Sequence, residues 1–484
     1  MKIVYLPLDS RPCNMRFPVQ LLSMAGLTCS IPDMDKMDHF RTPAFYADTK
    51  DFLLKEAADA DALILAVDHL AFGSLLASRE DHVPVQEALN RLQIIPELKR
   101  INPSLDIMAY SIIMRASTST LSADDVAWHH LVTAYSQASY KATIHPNAET
   151  IEEADSLAAR IPARILKKYH DVRDRNHEVN KACINLVCDG AVNRLLLLQE
   201  DAQPLGFHKL EQQKLLETIH AQGLAGRISL HNGADEGGCL CAARLAPKPM
   251  KLYVEPLGRS ACDFVAKYED RPFYENINSS CRFAGIDMVS LEEADKILCV
   301  LPPINEPQQD ALNQNTQADN DQEANRALAG RVLDLMQYGK PVGLLDVCFA
   351  NGGSIGFMNA LSEKMDVMAL SGYAAWNTAS NSLGTLLAQL QLGNDSHANQ
   401  RFTVERLLDD LLYQGHVRNQ LQNELKSAGE DTYALADKEC AERLLQIYMR
   451  EAVQKSPVFK GHPIAAEYRL PWPRTFELDV TVTV

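Results

Sequence analysis

An α/β fold of Rossmann-like, doubly wound, mostly parallel sheets with a largely helical C-terminal part is what this sequence predicts. Short apolar runs rich in β-branched residues recur along the chain, and between them lie longer stretches with apolar residues three and four apart. A third observation is the polar or charged residue that repeatedly follows the apolar run directly, as expected of parallel strands whose carboxyl ends share one edge.

Taken in order, strands are expected at 2–8 (KIVYLPL), 62–67 (ALILAV), 106–113 (DIMAYSII), 194–199 (RLLLLQ) and 227–232 (RISLHN). Four more are expected at 251–256, 296–301, 341–347 and 366–372. Helical periodicity marks 84–101, 209–222 and 325–338, while the polar stretch 306–325 reads as a surface loop leading into a helix. Beyond about residue 385 the pattern turns helical, at 403–425 and 438–454, and the alternating tail 474–484 predicts an edge strand. A chain of 484 residues is too long for one ordinary core. The expected division is an N-terminal α/β unit over 1–180, a second over 181–385 carrying the carboxylate pairs, and a helical part with a terminal strand over 386–484.

Composition narrows the function classes. With 47 Lys+Arg against 63 Asp+Glu the net charge is −16, which disfavours a nucleic-acid partner, because such binding rests on cations neutralising phosphates. The 11 cysteines include no C-x-x-C pair and no zinc spacing, so buried reduced thiols are expected. No apolar run approaches the roughly 20 residues that cross a bilayer, and MKIVYLPLD lacks a signal-peptide core, so the expectation is a cytoplasmic protein without a membrane partner. A G-x-G-x-x-G fingerprint after the first strand and a Walker loop are both missing, which disfavours NAD and ATP. GGSIG at 352–356 matches a nucleophile elbow only superficially, since its strand ends near Val347.

The polar residues at successive strand ends are the candidate site. Asp9 and Arg11 follow the first strand, Asp68 the second and Arg115 the third; Glu200 and Asp201 follow the next, then Asp235 and Glu236 in HNGADEGG. A set of carboxylates and arginines along one edge is what a polar substrate pocket requires. The strands before Glu200 and before Asp235 are joined by one helical stretch, so a right-handed crossover makes them parallel neighbours. About 4.8 Å between strands then brings the two acidic pairs to the separation glycosidases use. Asp201, Asp235, Glu236 and Glu200 are the expected acid, base or nucleophile. Asp9, Arg11, Asp68, Arg115, Trp376 and Asn377 are expected to orient the substrate, Trp376 by stacking on a sugar ring. Asp235 is expected to face the pocket, with Glu236 opposing the dipole of the following helix.

YLPLDSRPCN, AVDHLAFGSLLASR, YSIIMR, LLLQEDAQPLG, NGADEGG, KYEDRP, DVCFANGG, SGYAAWNTASNSLGT and LPWPRTFELD, in this order, resemble the bacterial family called domain of unknown function 4127 over essentially the whole chain. Ser10 stands where the family pattern has a second Asp, and Glu200 where it has the first of two. The resemblance implies no reaction. The residues themselves point to a hydrolase acting on a small carbohydrate, a glycosidase needing no cofactor. A metal-dependent hydrolase of a non-glycosidic bond, using a divalent cation on oxygen ligands, is the second reading, and a non-catalytic sugar-binding or sensing protein the third.

Overall fold

The computed structural model describes residues 1–122, 125–259, 261–304, 307–313, 321–394 and 396–483. Two compact units divide the chain: the first comprises Met1–Met15, Leu27–Cys241 and Tyr268–Asp270, the second Arg16–Gly26, Ala242–Lys267 and Arg271–Val484. The boundaries expected at 180 and 385 fall inside helices, Ala163–Cys188 and Ala379–Leu392. What separates the units is their sheets, and all five strands expected before residue 235 build one sheet.

That sheet has six parallel strands: β1 (Lys2–Leu6), β2 (Thr28–Ser30), β3 (Ala62–Ala66), β4 (Asp106–Ile113), β5 (Arg194–Gln199) and β6 (Ile228–Asn232). Their order is β2-β1-β3-β4-β5-β6, so winding reverses between β1 and β3. Helices cover both faces, which is why β3 reads ALILA and is buried at every position. The core joins Val4, Leu63, Leu65, Ile107, Leu195 and Leu197 from the strands to Val179, Cys183 and Leu215 from the helices.

The second unit repeats the winding with β7 (Met250–Pro256), β8 (Ile286–Met288), β9 (Lys296–Leu301), β10 (Val342–Asp346) and β11 (Gly372–Ala374), in the order β11-β10-β9-β7-β8. The run expected as a strand at 366–372 instead begins with a 3-10 turn, Val367–Ala369, and β11 starts where that run ends. Asp366 makes the difference: its side chain caps the Met368 N–H and turns the chain. The tail forms β13 (Asp479–Val482), which pairs antiparallel with β12 (Ala466–Arg469) in a ribbon of its own, not at an edge of either large sheet. The C-terminal part is helical as expected, but 403–425 is not one α-helix: Leu407–Val417 is a π-helix. Of the polar stretch 306–325, residues 306 and 314–320 lie outside the described ones, and the helix Gln322–Met336 follows.

Candidate functional site

Because all six strands of the first unit are parallel, their carboxyl ends share one edge, and the winding reverses where β1 and β3 part. Ligands bind doubly wound sheets at that place. From β1 the chain supplies Asp9, Arg11 and, on the first turn of the helix Pro12–Met24, Asn14. From β3 it passes directly into the helix Val67–Phe72, which carries Asp68 and His69.

Asp235 also arrives here, although β6 lies at the far side of the sheet from β1. The turn after β6 doubles back over the sheet. A Cβ on Gly237 would lie 2.5 Å from the Tyr110 ring on β4 and 2.9 Å from Leu198 on β5, so only glycine allows so close a pass. Arg11 then joins two carboxylates: its Nη2 donates to Asp9 at 2.7 Å and to Asp235 at 2.5 Å. Asn14 Nδ2 donates to the same two residues at 2.9 and 3.0 Å. Asp9 and Asn14 are fully buried, Asp235 and Arg11 nearly so.

One cation between two buried carboxylates leaves an excess negative charge. Burial opposes the Arg11 charge, but Asp235 and Asp9 overcome this and hold the guanidinium well above its ordinary range. Asp235 absorbs the strain: burial raises its pKa, Asp9 adds to the rise, and Arg11 only partly offsets it. Asp38 is a third carboxyl in the cluster. It accepts the Ser10 N–H at 2.7 Å, and burial followed by repulsion from Asp9 pushes it well above the carboxylate range. Its Oδ2 is buried without a hydrogen-bond partner among the described residues. His69 completes the surroundings as a neutral ring, with burial holding it down to about 4. Its Nδ1 donates to the Pro7 carbonyl at 2.8 Å, so Nε2 is free to accept from Thr49 Oγ1 at 3.3 Å.

The adjacent acidic residues in HNGADEGG do separate jobs. Asp235 enters the Arg11 cluster, whereas Glu236 folds back and accepts the Ala234 N–H at 2.9 Å. Its carboxylate closes the turn directly ahead of the helix Gly237–Arg244. The space over Gly233 is therefore filled: a Cβ there would lie 1.7 Å from Glu236 Oε1.

β5 and β6 are parallel neighbours, with Gln199 opposite Asn232, yet their acidic residues find different partners. Glu200 pairs with Arg79 and Asp201 with Arg115. The carboxylate that meets Asp235 is Asp9, because the turn after β6 leaves the line of its own strand. Asp68 lies apart from the Arg11 cluster. It accepts the Ile112 N–H at 2.8 Å, and burial, with Glu200 adding to it, pushes it up to about 7.

Trp376 and Asn377 belong to the second unit. Trp376 is buried, donates from its indole to Thr385 Oγ1 at 3.3 Å and meets Phe17 edge-on at 6.1 Å. Its ring packs the interior and offers no open face for a sugar. Asn377 sits at φ +54 and accepts the Asn351 N–H at 2.8 Å, a turn role that left-handed Asn supports. Ser354 is fully buried and caps the helix Ile355–Ser362 through the Phe357 N–H, consistent with the rejection of a serine nucleophile.

Asn14, Asp38, Arg79 and Asp270 were not nominated from sequence. Asn14 could have been, since a helix starting at Pro12 places it one turn from Arg11. Asp270, inside the quoted KYEDRP, binds Lys209, Gln212 and Asn232 at the β5–β6 end. Asp38 stands in a loop with no strand to point at it. Among the described residues, no group of three or more His, Cys, Asp or Glu is placed to hold a metal ion. Arg11 stands between Asp9 and Asp235.

Fold and edge together define a two-unit, doubly wound α/β protein with a buried carboxylate–arginine cluster at the switch point of its first sheet. The chain belongs to the family described as "Protein of unknown function (DUF4127)", whose model matches residues 3–481. No curated protein matches it.

Proposed function

We propose that the protein is a hydrolase of a small carbohydrate, a glycosidase working at the switch point of the first sheet. The observation that carries the reading is the Asp9–Arg11–Asp235 arrangement. Both carboxylates touch one guanidinium nitrogen, at 2.7 and 2.5 Å, so their oxygens are at most about 5 Å apart, the separation at which one carboxyl is acid and the other nucleophile. In this reading Asp235, its pKa raised by burial, gives its proton to the leaving oxygen. Asp9 attacks the anomeric carbon, and water then releases the sugar with Asp235 acting as base. Asp9 thus moves from orienting the substrate to the chemistry, and Arg11 holds both groups in register. The acid and nucleophile are the chain's own, so the reading calls for no cofactor.

A reduced compartment, the cytoplasm, fits eleven cysteines without a disulfide. No helix among the described residues is long and apolar enough to cross a membrane.

The test is turnover of a panel of 4-nitrophenyl glycosides by the purified protein. Release of nitrophenol by the native protein, lost in Asp9→Asn and in Asp235→Asn, is expected. Saturable sugar binding with no turnover of any glycoside would leave the sensing reading instead, and activity that disappears with a chelator and returns with Mg²⁺ or Mn²⁺ the metal-dependent one.

A further inference from the structure

At the ends of β4 and β5 the same edge carries a second charged cluster, built on arginine. Arg115 pairs with Asp201 and Arg79 with Glu200. The two guanidinium groups are anchored on successive residues, Glu200 and Asp201, and His129 lies against the neighbouring loop, its Nδ1 3.1 Å from the Thr118 carbonyl, with burial and then Arg115 holding its ring down to about 4. The pairs differ in access. Arg79 and Glu200 have side chains 7% exposed, whereas Arg115 is 16% and Asp201 23% exposed, so the inner pair is a foundation and the outer one meets solvent.

Around them runs a hydroxyl loop, Ser117, Thr118, Ser119 and Thr120, which Ala116 alone separates from Arg115. Arg79 Nη1 donates to Ser119 Oγ at 3.2 Å. Arg79 Nε and Thr118 Oγ1 are buried without a hydrogen-bond partner among the described residues. Asp201 is held at φ +29, a left-handed conformation that costs a non-glycine residue energy and that clusters where ligands act. In a chain of net charge −16, a pair of arginines beside free hydroxyl capacity is not a consequence of composition.

We propose that the substrate carries a carboxylate, as a uronic acid does, and that Arg115, with Arg79 and the hydroxyl loop beside it, receives that group. This rests on the carbohydrate reading above and names the class of sugar. Asp201 marks the place: a ligand carboxylate has the same charge and the same planar fork as the side chain now on Arg115, and the partly exposed Asp201 carboxylate can turn towards solvent to yield that seat. A dianionic phosphate would bring one negative charge more than a carboxylate does, beside arginines that already face Glu200 and Asp201.

Calorimetric titration of the full chain tests this. Methyl glucuronide, galacturonide and mannuronide are each compared with the neutral parent glycoside, and inorganic phosphate and sulfate are titrated separately. One uronide binding at least tenfold tighter than its parent is the expected result, with that preference lost in Arg115→Gln and partly kept in Arg115→Lys, which retains charge but not the fork. Circular dichroism melting checks that the variants fold; should Arg115→Gln fail to, Arg115→Lys alone must lower the preference. Equal or absent binding of every uronide and its parent overturns the proposal, as does a preference untouched in both variants. Phosphate or sulfate binding tighter than any uronide, and lost in Arg115→Gln, also overturns it in favour of a free-anion site. Titration reads no turnover, so a protein that binds a uronide but cleaves no glycoside refutes the hydrolase reading alone.

Discussion

Gly233 and Glu236 compete for one volume, and that fixes what each can become. Gly233 has φ +130 and no room for a Cβ, so Gly233→Ala should lower stability by more than about 1 kcal/mol and displace the Glu236 carboxylate. Glu236→Gln retains an oxygen for the Ala234 N–H and loses only the charge, a cost of about 1 kcal/mol. Asp235→Asn is a different case. As a residue expected to face the pocket it would cost little stability, but Asp235 is half of a buried ion pair. Breaking such a pair costs about 3–5 kcal/mol when the partner is left alone. Arg11 keeps Asp9, so a loss towards the lower end is expected, together with loss of turnover. Urea denaturation of the three variants orders them; an Asp235→Asn protein as stable as native would show that Arg11 does not depend on it.

At the scale of elements, Asp68 ties the helix Val67–Phe72 to β4 through the Ile112 N–H, and its carboxyl is pushed up to about 7 by burial. An unfolded Asp titrates near 3.9. Between these values the folded chain holds the proton that the unfolded chain has lost, so this group's contribution is full below about pH 4 and is lost as pH rises to about 7. The melting temperature should therefore fall from pH 5 to pH 7.5 more steeply in the native protein than in Asp68→Asn, which cannot ionise. Parallel curves would remove Asp68 as the cause. The strand before Asp68 was legible because ALILA has both faces covered and needs no partner to be recognised. β2 and β8, three residues each, carry too little pattern to read. The π-helix Leu407–Val417 escaped because its apolar spacing resembles an α-helix, and what widens it is tertiary: Asp410 accepts the Ala375 N–H with its side chain and the Gly353 N–H with its backbone. The site was legible to the same degree. Strand ends named Asp9, Arg11 and Asp235, but their meeting depends on the turn after β6 crossing the sheet, which no local spacing encodes.

For the molecule as a whole, each unit winds its strands in the same order about a reversal between its first and third strands, and burial on both faces of both sheets explains where the cysteines went. Strands and helices whose apolar residues fill two cores leave few positions where a thiol meets water. Eight cysteines are buried, Cys29 and Cys440 are intermediate, and only Cys188, at the end of the helix Ala163–Cys188, is exposed. None of the eleven is in a disulfide. Burial pushes Cys183, Cys262, Cys281 and Cys299 up to about 12, so these thiols carry almost no thiolate at neutral pH and cannot attack a disulfide reagent while the fold is closed. Cys29 is also pushed up to about 12, which makes it slow in spite of partial access. Titration with an aromatic disulfide at pH 8 should therefore show one fast thiol, removed by Cys188→Ser, and at most two slow ones. The full eleven should appear only in denaturant, and the melting temperature should be the same with and without reductant. Four or more thiols reacting in the native protein, at rates faster than unfolding, would mean that at least one of the two cores opens to solvent; fewer than eleven in denaturant would mean that disulfides form.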